Sequence, residues 1–87
     1  MRTASGSHVD AVVNAPQLNV QLEPLNDSPI VEMLANGDRL RIINTNYDDS
    51  WVKVITPTGT RGWVQSRLLT INIDMKTVPW DSNYPAP

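Results

Sequence analysis

The 87-residue chain carries seven Lys or Arg and nine Asp or Glu, for a net charge of −2. That length holds one small domain with limited apolar area to bury. Its acidic balance argues against generic nucleic-acid binding, and the lack of cysteine removes disulfides and thiolate metal sites without choosing between envelope and cytosol.

Met1 to Pro16 is small and polar, with little periodicity. Residues 1–15 read as a flexible tail or linker, and the opening MRTASGSH has the look of a vector-derived leader. The apolar patch Ala11–Val13 is too short for a signal-peptide core. At LNVQLE the pattern changes: Leu18, Val20 and Leu22 alternate with Asn19, Gln21 and Glu23, the mark of a half-buried strand. PLNDSP is a loop bracketed by Pro24 and Pro29. IVEML is apolar again, and Asn36-Gly37 signals a turn, because glycine accepts positive φ without steric cost.

RLRIIN alternates once more, with Leu40 and Ile42 inward and Arg39 and Arg41 outward. TNYDDS is a polar connection. WVKVI puts Val52 and Val54 on one face and Trp51 and Lys53 on the other. TPTGT is a tight turn, RGWVQ a short strand, SRLL a single helical turn, and LLTINI a last strand. Residues 74–87 carry three of the seven prolines and form an extended or disordered C-terminal extension. About five short antiparallel strands with frequent turns, over residues 16–73, indicate a small all-β barrel.

Catalytic constellations are missing. The only histidine, His8, lies in the polar N-terminal segment, so the predicted barrel holds neither His nor Cys. Asp48-Asp49 adjoin in a loop instead of facing each other across a cleft, and two adjacent acids do not make a calcium loop. There is no glycine-rich phosphate loop. The reading is of a chain that is not an enzyme and needs no cofactor or metal. No apolar run reaches the length of a membrane-spanning helix, so no membrane insertion is expected.

The order Leu18-Asn19-Val20, Pro24, Leu34, Gly37, Trp51-Val52-Lys53-Val54, Gly59 and Gly62-Trp63-Val64 resembles the bacterial Src-homology-3 (SH3b) family over residues 17–71. The resemblance implies an SH3-like barrel and a non-catalytic binding or targeting module. It implies recognition of peptidoglycan, of a peptide, or of a neighbouring domain, and favours an envelope or secreted location over the cytoplasm. The chain departs from the pattern at Gln21, where the family has arginine, and at Glu23, where it has glycine. The tyrosines of the eukaryotic proline-reading groove are also missing: Val20 and Gln21 stand on the first strand, and Gln65, Arg67 and Leu68 near the end. A polyproline ligand needs an aromatic-lined groove, which this chain lacks.

The candidate ligand-binding residues are Tyr47, Trp51, Trp63, Arg39, Arg41 and Lys53. Strand parity turns Trp51 outward, as a binding anchor or as a cover packed on the stem of Arg41 or Lys53. Trp63 is expected partly exposed at the barrel edge, and Tyr47 as a groove wall or a loop aromatic capping the core. The three cations form a basic face for an anionic partner, or an ordinary solvated sheet face. Trp80 and Tyr84 in VPWDSNYPAP are costly to leave in water, so the tail either folds back on the domain or leads to a further one. A structural accessory domain and an intracellular protein-interaction module are the alternatives to wall binding.

Overall fold

A computed structural model describes residues 9–81 and 83. Its elements in chain order are β1 (Ala11–Val13), β2 (Gln17–Gln21), β3 (Ile30–Ala35), β4 (Arg39–Thr45), β5 (Trp51–Ile55) and β6 (Arg61–Gln65). A 3-10 turn (Ser66–Leu68), β7 (Leu69–Ile71) and a second 3-10 turn (Met75–Thr77) complete it. All ladders are antiparallel, in the order β3-β2-β6-β5-β4-β1-β7. The fold is the expected SH3-like all-β class. The described residues form seven strands where about five were expected, and two helical turns where one was.

The alternation in the sequence builds the core. Leu18 and Val20, Leu34, Leu40 and Ile42, Val52 and Val54, and Val64 are all buried. Gly62 stands opposite Val54, where β6 passes close to β2. A Cβ there would lie 2.5 Å from Val20 Cγ1 and 2.9 Å from the Gln21 carbonyl oxygen. Gly37 and Gly59 hold φ of +91° and +88° in their turns, as their spacing predicts.

The largest correction lies at the N-terminal end. Ala11–Val13, assigned to a tail, is a strand paired with both β4 and β7. A run of three apolar residues is too short a pattern to read, but Ala11 and Val13 are fully buried. Asp10 is buried as well, and its Oδ2 accepts from the Ile42 N–H at 2.8 Å. The carboxylate thus continues the β4 edge where β1 begins.

The C-terminal segment docks on the same edge. Thr45 N donates to Pro79 O at 3.0 Å, and Asp81 N donates to Thr45 O at 2.9 Å. This parallel bridge sets Trp80 opposite Thr45. The tail therefore folds back in an ordered form up to Asp81. The proposed leader Met1–His8 and Tyr84 lie outside the described residues.

Candidate functional site

The loop between β2 and β3 borders a groove beside β2. Gln21 ends β2 and is buried, with its Nε2 within 3.0 Å of the carbonyls of Leu25 and Asn26 and 3.2 Å of that of Ser28. One side chain thus draws the whole loop back over the sheet. Ser28 Oγ accepts from Glu23 N at 2.8 Å and pins the loop's base. From the other side, Gln65 Nε2 donates to Asn26 Oδ1 at 2.7 Å, while Arg67 Nε donates to Gln65 Oε1 at 3.0 Å.

Between this loop, β2 and the first 3-10 turn lies an open groove of about 210 Å³. Its polar lining is five carboxamides: Gln17, Asn19, Gln21, Asn26 and Gln65. Leu18, Ile30 and Leu68 supply the apolar part, and none of the lining residues is charged. Every amide offers two N–H donors and an acceptor oxygen. Asn19 is exposed and its side chain has no hydrogen bond among the described residues, so its full capacity faces solvent. Such a surface matches amide groups on a neutral ligand.

The residues singled out from the sequence lie elsewhere and divide into three groups. Trp51 and Trp63 are corrections: they are 9% and 0% exposed. Parity does set both on the outer face, but outward on a strand is not outward to water here. Trp63 sits between Gln21 and Lys53 in register, on the central strands of the sheet. Trp51 begins β5 beside a loop that folds tightly back on it. Its N–H donates to Asn46 Oδ1 and its carbonyl accepts from Asn46 N, both at 3.1 Å. Tyr47 remains, 48% exposed, on that loop.

The loop's acids are already engaged. Asp48 Oδ1 accepts from Ser50 Oγ at 2.6 Å, and Thr45 Oγ1 donates to Asp49 Oδ1 at 2.7 Å. The Ser50 hydroxyl holds the Asp48 carboxyl below its ordinary pKa. Asp49 takes a left-handed φ of 62°, which aspartate tolerates better than most residues. Among the described residues no group of three or more His, Cys, Asp or Glu could hold a metal ion.

Arg39 and Arg41 are exposed and Lys53 is half-buried. Register sets Arg41 opposite Ile55, and Asn44 opposite Lys53, with a bulge between Ile42 and Asn44. The three cations share the outer face of the sheet, but none lines the groove. The tail segment 79–81 does not line it either.

A family model for the bacterial SH3 domain matches residues 16–70, more than half of the chain. The chain belongs to the bacterial SH3 domain family. No curated protein matches it. In this SH3 domain β1 and the bridge at Trp80 both fall outside the matched span, and both attach to β4. The carboxamides are the functional candidates that sequence reasoning passed over. The signal was present: Gln17, Asn19 and Gln21 alternate with Leu18 and Val20, which gathers three amides on one strand face.

Proposed function

We propose that this SH3 domain is a non-catalytic binding or targeting module whose ligand is neutral and rich in amide groups. A peptide segment or the peptide-bearing, acetamido-bearing chain of peptidoglycan has that chemistry. The observation that carries the reading is the groove lined by five carboxamides and no charged group. Amides bind main-chain or acetamido groups in pairs, donor to acceptor and acceptor to donor. Ile30 and Leu68 add apolar contact beside them. Burial of Trp51 and Trp63 replaces the exposed aromatic platform that the sequence suggested.

The test is calorimetric titration of the full chain with a muropeptide and with a blocked tetra-alanine peptide. Asn19→Leu keeps the exposed strand position but removes its free amide, and is expected to weaken binding roughly fivefold to tenfold, the loss of one to two hydrogen bonds. Affinity unchanged by this substitution would remove the groove from the account.

A second reading rests on a separate observation. Leu22, Leu25, Ile30, Val31 and Met33 are each more than 40% exposed and all belong to one loop and the edge strand after it. An apolar edge of this kind suits contact with a neighbouring domain, which makes the module a structural accessory. Calorimetry separates the two: a purely structural domain takes up neither probe.

A further inference from the structure

The chain is acidic overall, yet its three central adjacent strands are not. β4, β5 and β6 contain Arg39, Arg41, Lys53 and Arg61 and no Asp or Glu. Register fixes where these cations stand. Arg41 is opposite Ile55 on β5, and Ile55 is opposite Arg61 on β6. The three form one row across the outer face, with Arg41 and Arg61 on strands about 9.6 Å apart. Arg39 lies two residues from Arg41 along β4, about 6.8 Å away on the same face. Lys53 lies two residues from Ile55 on β5.

Arg39, Arg41 and Arg61 are exposed, and Ile55 between them is half-buried. None of the four cations forms an ion pair or a side-chain hydrogen bond among the described residues. The nearby acids are occupied: Asp38 Oδ2 accepts from Ala35 N at 2.8 Å, and Glu32 Oε1 is held by Thr56 and Thr58 at 2.9 and 2.8 Å. Carboxylates that usually offset cations on a sheet face are therefore missing.

We propose that this face docks an acidic, extended protein segment in which carboxylates flank an apolar side chain. Alternate residues of an extended chain share one face and repeat at about 6.8 Å, so a segment with glutamate at positions i and i+4 and an apolar residue at i+2 presents all three to the row Arg41, Ile55 and Arg61. Guanidinium forks donate two parallel N–H bonds to a carboxylate. The apolar residue of the segment rests on Ile55. A phosphodiester polymer would satisfy the cations but leave Ile55 without a counterpart, so the mixed basic and aliphatic row favours protein. The surface is separate from the amide-lined groove and does not depend on what the groove binds.

The test is an amide chemical-shift titration of the full chain with a blocked Glu-Ser-Leu-Ser-Glu-Ser hexapeptide, whose two glutamates and leucine share one face of the extended chain. Shifts are expected at Arg39, Arg41, Ile55 and Arg61, and not at Asn19 or Leu68. Raising ionic strength from about 0.01 M to about 0.15 M shortens the screening length from about 30 Å to about 8 Å and is expected to weaken binding at least fivefold. The surface variant Arg41→Glu with Arg61→Glu is expected to abolish the shifts and leave the melting temperature within a few degrees. Equal binding of the glutamine-for-glutamate peptide, or of inorganic polyphosphate, would overturn the assignment. So would the same shifts appearing on raising protein concentration alone, which would make a second copy of this chain the occupant.

Discussion

At the residue scale, Gly62 and Gln21 show how single positions set the groove. Gly62 lets β6 approach β2 so closely that the one Gln21–Trp63 pairing can join the two strands. Val20 is fully buried and the Gln21 oxygen is main chain, so neither neighbour can move aside for a methyl group. Gly62→Ala is therefore expected to cost about 1–3 kcal/mol in a denaturant titration, the usual toll of overpacking. A neutral substitution would show that the β2–β6 contact is loose. Glu32 offers a pH signature. The Thr58 hydroxyl, before the other threonines, holds its carboxyl below the ordinary value of 4.5. A depressed folded pKa contributes stability above the unfolded value, and that contribution is lost as pH falls through the folded one. Thr58→Ala should thus be less stable than the parent at neutral pH, with the gap closing as pH drops below 4.5. A gap constant from pH 7 to pH 3 would rule out the Thr58–Glu32 bond as its source.

At the element scale, the strands with a clear period of two were legible and the terminal pieces were not. Leu18 with Val20, Leu40 with Ile42, and Val52 with Val54 announce β2, β4 and β5 because their apolar residues alternate over five or more positions. β1 is three residues long and gains its stability from partners far along the chain, which no local pattern reports. The tail is similar. Its hold on β4 is main-chain hydrogen bonding, for which proline-rich sequence gives no cue. Asp81→Pro removes the N–H that bonds the Thr45 carbonyl at 2.9 Å, whereas Asp81→Asn keeps it. The proline variant is expected to raise hydrogen exchange at the Thr45 amide at least tenfold, and the asparagine variant to leave it unchanged. Equal exchange in both would mean that the bridge does not hold in solution.

At the scale of the whole molecule, the fold was readable and the burial of the two tryptophans was not. Parity named the correct faces for Trp51 and Trp63 but could not show that both are buried there. That burial is tertiary, and the one pairing that joins β2 to β6 sets Gln21 opposite Trp63. The amides of β2 and its neighbours line the groove. The ligand proposed for these amides is neutral and rich in amide groups. The most direct measurement follows the side-chain NH2 resonances of the full chain during titration with a muropeptide. Those of Gln17, Asn19, Asn26 and Gln65 are expected to shift together with the Leu68 amide, while those of Asn36 and Asn72 stay in place. A muropeptide that leaves the four groove amides unmoved, or that shifts only residues near Tyr47, would contradict it.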